Sequence, residues 1–204
     1  MSHHLEPPDE SNVSADPVEQ FDQWYRAAQI TEVVEATAVN LATVGSDGRP
    51  SARMLLLKGF DRNGFVFFTN FNSRKGKELL ENPFASLTFW WPSQYRQVRI
   101  EGSVAKVSDE ESDAYFSERP FGSRIGALAS PQSEVVEGRA SLEEHYEMLS
   151  NRWQGKQVPR PKHWGGYRLK PDRFEFWQSR ENRLHDRIVY LREGGEWKVV
   201  RLGS

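Results

Sequence analysis

Two turn signals, SDG at 46–48 and DRNG at 61–64, cut the stretch TAVNLATVGSDGRPSARMLLLKGFDRNGFVFFTN (37–70) into short β-rich runs. Runs this close together are joined by hairpins, because parallel strands need crossovers of a dozen residues or more. The segment is therefore committed to antiparallel pairing, with strands expected near 38–45, 50–59 and 65–70. A short helix follows in SRKGKELLENP and stops before Pro83. Two further strands, FASLTFWW and RQVRIEGSVAKV, are joined by a turn around Pro92.

Helices flank this meander. Asp16 before Pro17 reads as an N-cap followed by proline at the first helical position, and Val18, Phe21, Trp24, Tyr25 and Ala28 then recur at helical spacing. DEESDAYFSERP places acids where a helix N-terminus favours them, and SRIGALAS and SLEEHYEMLSNRW supply two more helices. WGGYRLKPDRFEFWQ and DRIVYLREGGEWKVVRL return to strands, with EGGE as a hairpin turn. Strands, then helices, then strands, without regular β-α alternation, predict an α+β domain: a mainly antiparallel small barrel with peripheral helices. Residues 17–204 form one domain on this reading, and the polar, proline-bearing residues 1–16 form a disordered tail.

Composition removes several function classes. With 27 Lys+Arg against 29 Asp+Glu there is no global positive field to hold nucleic acid. The chain has no cysteine, which excludes disulfides, thiolate catalysis and cysteine zinc sites, and is compatible with a reducing, cytoplasmic setting. No run approaches the ~20 apolar residues of a membrane span, and the start lacks a signal-peptide pattern. His3 and His4 are too few for a tag and are set aside; His145 and His163 lack HExxH spacing, so no metal site is expected. GxGxxG, GxxxxGK[ST] and GxSxG are all missing.

What remains is a set of local cationic patterns. In NRLHDRIVY, strand alternation would put Arg183, His185 and Arg187 on one face, an arrangement that calls for an anion among them. In NSRKGKEL, Ser73 can cap a helix whose first turn holds Arg74 and Lys75, where the macrodipole disfavours cations. A bound phosphate would reverse that cost, and a solvated basic helix end is the alternative. Arg53 and Lys58 flank an apolar strand at odd separation, so one pocket could use both only through a bulge or between subunits. RQVRIEG sets Gln97, Arg99 and Glu101 opposite Val98 and Ile100, and a buried Gln97 amide could read a polar heterocycle. Tyr115 and Arg119, four apart with Ser123 close behind, offer a phenol, a guanidinium and a hydroxyl, which together can hold a phosphate; Tyr115 also fits a plain core aromatic.

Taken in order, ARMLLLKGF, FFTNFNSRKGKEL, NPFASL, RQVRIEG, YFSERP, SRIGALAS, PQS, WGGYRL, FEFWQ and NRLHDRIVY resemble the pyridoxamine 5'-phosphate oxidase family across residues 17–204. The resemblance implies a homodimeric split β-barrel that binds FMN and builds each site from both subunits. It puts Arg53, Met54, Leu55, Leu56, Phe68, Thr69, Arg74, Lys75, Gln97, Gln132, Ser133, Trp177 and Arg187 on flavin positions. Lys58, Tyr115, Arg119 and Ser123 fall on positions that hold the substrate phosphate, and Arg183 and His185 on positions that cover the pyridine ring and serve the chemistry. Two phosphates thus replace the single anion suggested by NRLHDRIVY.

The implied reaction oxidises pyridoxine or pyridoxamine 5'-phosphate to pyridoxal 5'-phosphate. A hydride passes from C4' to flavin N5, and O2 reoxidises the flavin to give hydrogen peroxide, with ammonia released from the amine. Pro92 and Ser179 depart from common family residues without touching a motif position. Two alternatives stand beside this reading. One is a related flavin oxidase of the phenazine-biosynthesis branch, against which the four phosphate-directed groups argue. The other is a non-catalytic split-barrel protein that carries flavin, haem or pyridoxal phosphate.

Overall fold

The computed structural model describes residues 7–33 and 35–204; His3, His4 and the first part of the expected tail lie outside the described residues. The helices are α1 (Pro17–Thr31), α2 (Arg74–Glu81), α3 (Asp109–Glu118), α4 (Phe121–Ala129) and α5 (Arg139–Trp153). The strands are β1 (Ala38–Val44), β2 (Pro50–Leu56), β3 (Gly59–Asp61), β4 (Gly64–Asn70), β5 (Phe84–Trp91), β6 (Arg96–Lys106), β7 (Trp164–Gln178), β8 (Asp186–Glu193) and β9 (Glu196–Arg201). They form one sheet in the order β2-β1-β5-β6-β7-β4-β3, with β8 on β7 and β9 on β8, and every pairing is antiparallel.

The expected strand 50–59 is two strands, and the break explains the curl. β2 and β3 stand at opposite ends of the seven-strand path, yet only Leu57 and Lys58 separate them. The Leu57 N–H donates to the Thr37 carbonyl and the Lys58 N–H to that of Val66, so the chain steps from one end of the sheet to the other within two residues. A sheet whose ends are tied this closely must curl on itself, which gives a split barrel with peripheral helices. β7 is long enough to serve both halves: its first residues pair with β4 and its last with β8. Its Pro171, which has no N–H to offer a ladder, sits opposite Gly102 where the β6–β7 register shifts. The EGGE hairpin has Gly194 and Gly195 at φ +60 and +96, the backbone that a two-residue turn between twisted strands requires.

Inside the curl lies the main core. Asp16 caps α1 by accepting from the Val18 N–H at 2.9 Å, and Phe21, Trp24 and Ala28 face inward from that helix. Phe21 meets Phe60 and Phe65 edge-on at 4.9 and 5.0 Å, and its burial contributes about 2–3 kcal/mol. A second, smaller core joins Phe116, Ile125, Ala129, Leu149 and Trp164, so α3, α4 and α5 form a cap against the start of β7. Gly166 is required at this junction, because a Cβ there would lie 2.8 Å from the Phe68 ring.

The described part of the expected tail is held against the body. The Tyr190 hydroxyl donates to the Ser14 carbonyl at 2.6 Å, and Arg201 pairs with Asp9 and Glu10. Among the described residues no helix is long and apolar enough to cross a membrane, and no cluster of side chains suits a metal ion.

Candidate functional site

Two cavities adjoin at the seam between the sheet and the helical cap. The first, about 490 Å³, is lined by Ser51, Arg53, Met54, Leu55, Arg74, Lys75 and Ser133; the second, about 400 Å³, by Lys58, Asn70, Tyr115, Arg119, Ser123 and Trp164. Phe68, Thr69 and Gln132 line both. The break between β2 and β3 therefore resolves the Arg53–Lys58 parity problem: Arg53 leaves β2 toward one cavity, and Lys58, outside any strand, reaches the other.

The first cavity is built around the start of α2. Ser73 caps the helix, accepting from the Gly76 N–H at 3.3 Å, which leaves Arg74 and Lys75 in the first turn as the sequence predicted. The Lys75 ammonium donates to Thr69 at 3.0 Å, to Gln132 at 3.2 Å and to Ser73 at 3.3 Å. Burial, with Arg53 nearby, brings its pKa down to about 8. Arg53 donates to Thr43 at 2.5 Å and also to Ser51. Three cations converge on one cavity, an arrangement that can hold a phosphate.

The second cavity has two cations, Lys58 and Arg119, and the hydroxyls of Tyr115 and Ser123 beside those of Thr69 and Ser130. Tyr115 stacks on Phe68 with centroids 4.0 Å apart, and the Arg119 guanidinium lies over the Trp164 ring at 4.6 Å. α3 ends at Glu118, so Arg119 is its C-cap and not a fourth residue on the same helix face; the two side chains nonetheless line one cavity. Burial lowers the Arg119 pKa, and its Nη1 is buried with no hydrogen-bond partner, a donor left for an anion.

Gln97, Trp177, Arg183, His185 and Arg187 are not in either cavity's lining, and neither is Leu56 at the end of β2. Gln97 pairs across β6–β7 with Trp177, which pairs with Arg187 across β7–β8, and the His185 ring rests 4.6 Å from Trp177. The expected shared face of Arg183, His185 and Arg187 is not formed. β8 begins only at Asp186, and Arg183 ends a 3₁₀ turn at φ +61, so strand alternation does not apply to it. Part of the anion inferred for that face is internal: Glu175, 3% exposed, accepts from Arg187 at 2.9 Å, from Arg173 at 3.4 Å and from Arg99. The Arg180 N–H donates to His185 Nδ1 at 3.1 Å, which leaves the ring proton on Nε2.

These two groups of residues sit at opposite ends of β7. Phe68 pairs with Gly166, and Gln97 with Trp177, eleven residues on along β7, about 35 Å of extended chain.

Sequence reasoning missed Glu78 and Glu175, the carboxylates that engage these arginines. Glu78 sits four residues after Arg74, the spacing of a helix-face ion pair, and Glu175 is the charged residue between the two phenylalanines of FEFWQ. Either pattern could have flagged them.

A curled antiparallel sheet with this cap is the fold of the FMN-binding split barrels. It superimposes at a TM-score of 0.74 on a pyridoxamine 5'-phosphate oxidase-related, FMN binding protein from Nostoc punctiforme, 20% identical, over 94% of this chain and 99% of that one. The family profile for pyridoxamine 5'-phosphate oxidase matches residues 26–153, and that for the pyridoxine 5'-phosphate oxidase C-terminal dimerisation region matches residues 164–203. A pyridoxine/pyridoxamine 5'-phosphate oxidase from Cyanothece sp. is 51% identical over 95% of this chain and 91% of its own length; one from Paraburkholderia phymatum is 55% identical over 95% and 92%. The solved structure of PhzG from Burkholderia lata, in complex with tetrahydrophenazine-1-carboxylic acid, is 33% identical with a TM-score of 0.93, covering 98% of both chains. The chain belongs to the pyridoxamine 5'-phosphate oxidase family, a family of oxidoreductases, and carries its dimerisation region.

Proposed function

We propose that the protein is an FMN-dependent oxidase that converts pyridoxine 5'-phosphate and pyridoxamine 5'-phosphate to pyridoxal 5'-phosphate. The observation that carries this reading is the pair of adjoining cationic cavities sharing Phe68, Thr69 and Gln132. Two phosphates with their rings meeting between them fit that arrangement. Arg53, Arg74 and Lys75 hold the flavin phosphate, and Lys58, Tyr115, Arg119 and Ser123 hold that of the substrate. FMN, held there, would supply the acceptor for the C4' hydride and the route for its electrons to O2, with hydrogen peroxide as the product.

The chain's own contribution is placement. Met54, Leu55 and Phe68 give the flavin an apolar bed; Arg119, fixed against Trp164, orients the substrate through its phosphate. Gln97, Trp177, Arg183, His185 and Arg187 line neither of the two cavities in the same subunit. They complete the site of a second copy, in keeping with the dimerisation region. There Arg183 covers the pyridine ring, and His185 presents its Nε2–H to the 4' oxygen or nitrogen of the substrate, orienting that group, whose own proton leaves to solvent as C4' gives up a hydride.

A second reading rests on the likeness to PhzG: an oxidase acting on a tricyclic phenazine precursor. Such a substrate carries a carboxylate in place of a phosphate, one negative charge to set against both Lys58 and Arg119 where a phosphate monoester brings about two. The test is oxygen uptake by FMN-loaded protein with each vitamer phosphate, with pyridoxal 5'-phosphate followed in parallel. Product formed together with oxygen consumed supports the proposal; turnover of a reduced phenazine carboxylate alone would favour the second reading.

A further inference from the structure

Glu78 is an unexpected residue to find beside an anion site. It lies on α2 with its carboxylate 8% exposed, behind the three cations of the first cavity. Thr43 donates to it at 2.5 Å and Ser51 at 2.6 Å, Arg74 Nε at 2.8 Å and Arg53 Nη2 at 3.2 Å. Thr43 and Ser51 also accept from Arg53, so the guanidinium is gripped on two sides. Thr43 and Ser51 face each other on β1 and β2, which ties the carboxylate to the sheet as well as to the helix.

We propose that Glu78 is a positioning residue for phosphate recognition: it fixes the guanidinium groups of Arg53 and Arg74 so that their remaining donors face the cavity. The proposal rests on the reading that this cavity takes the flavin phosphate. Arg74 shows why an anchor is needed. Its side chain is 61% exposed, and among the described residues its one ion pair is with Glu78, so without that carboxylate it would sample solvent and lose rotamer freedom on meeting the ligand. Charge supports the same assignment. Arg53, Arg74 and Lys75 against Glu78 leave a surplus of about two positive charges, the charge of a phosphate monoester dianion. A buried carboxylate therefore does not cancel the site's preference for phosphate; it sets the geometry and leaves the matching charge.

The test compares FMN with riboflavin, which differ by the phosphate alone, on the whole protein stripped of flavin. Two variants separate reach from charge. E78D keeps the charge but draws the carboxylate back by about 1.5 Å, beyond hydrogen-bond distance of Arg53 and Arg74. E78Q keeps one acceptor oxygen, enough to hold one of the two arginines, and turns its NH2 toward the other. The expected result is that E78D lowers the preference for FMN over riboflavin about tenfold, with riboflavin affinity unchanged, and that E78Q stays within about threefold of the parent protein. E78D with an unaltered preference would overturn the proposal. So would E78D losing FMN and riboflavin affinity in equal proportion, the mark of a merely structural role, or E78Q alone shifting the preference, the mark of bulk charge. A parent protein that binds both flavins equally would overturn the assignment of the cavity itself, and the proposal with it.

Discussion

Lys75 makes phosphate binding in the first cavity sensitive to pH in a direction set by its surroundings. Its ammonium is enclosed by Thr69, Ser73 and Gln132; burial and the neighbouring Arg53 lower its pKa to about 8, while Glu78 pulls the other way. A phosphate dianion in the cavity favours the charged ammonium, so binding raises the Lys75 pKa and takes up a proton wherever the free protein has lost one. Below pH about 8 the group is charged in both states and affinity does not depend on it. Above that value the free protein must first be reprotonated, and the Kd for FMN climbs by up to about tenfold per pH unit. At pH about 9, roughly one-tenth of the free protein keeps the charge, so binding should be about tenfold weaker than on the plateau. On the acid side the phosphate's own second ionisation, near pH ~6, closes the window. Quenching of FMN fluorescence across this range measures the effect, with Lys75→Met as the control that should bind more weakly and lose the alkaline limb. A wild-type Kd that stays constant up to pH about 9.5, or an equal slope in Lys75→Met, would refute the reasoning.

Other expectations follow from the same geometry. Arg119→Met should raise KM for either vitamer phosphate by about 10- to 100-fold while the flavin stays bound, as steady-state rates and the visible spectrum together would show. Arg183→Ala should raise KM and depress kcat with the flavin retained; isolation as apoprotein would put this residue in the wrong site. Burial pushes the Glu78 carboxyl up, but hydrogen bonds from Ser51, Thr43, Arg74 and Arg53 outweigh it and hold its pKa at about 2. Its contribution to stability is therefore complete above the ordinary value of 4.5 and lost as pH falls through about 2. Denaturant unfolding of Glu78→Gln should show a flatter acid limb across that window.

The elements were legible where local chemistry decides them. The Asp16–Pro17 start of α1, the Ser73 cap of α2 and the glycine turn at 194–195 all stand where the sequence put them. The break at Leu57–Lys58 was not legible, because Leu57 continues an apolar run, Lys58 reads as its charged flank, and only the closing of the sheet separates the two strands. Arg183 was misplaced for a related reason: alternation was assumed through NRLHD, where the backbone takes positive φ at Asn182 and Arg183. Phe68, Thr69, Gln132 and Ser133 were reached only through family resemblance, since they are brought together by tertiary contacts that no local spacing encodes. Glu78 and Glu175 carried local signals, but those signals do not show that each carboxylate is buried among several arginines, which only the fold brings about.

The central claim is that the second cavity selects its substrate by phosphate. The most direct measurement is kcat/KM of the FMN-loaded protein for pyridoxine 5'-phosphate against unphosphorylated pyridoxine, read as pyridoxal species formed and oxygen consumed. With two cations and two hydroxyls directed at that group, the phosphorylated vitamer should be favoured by about a thousandfold or more. Equal kcat/KM for the two would contradict the account.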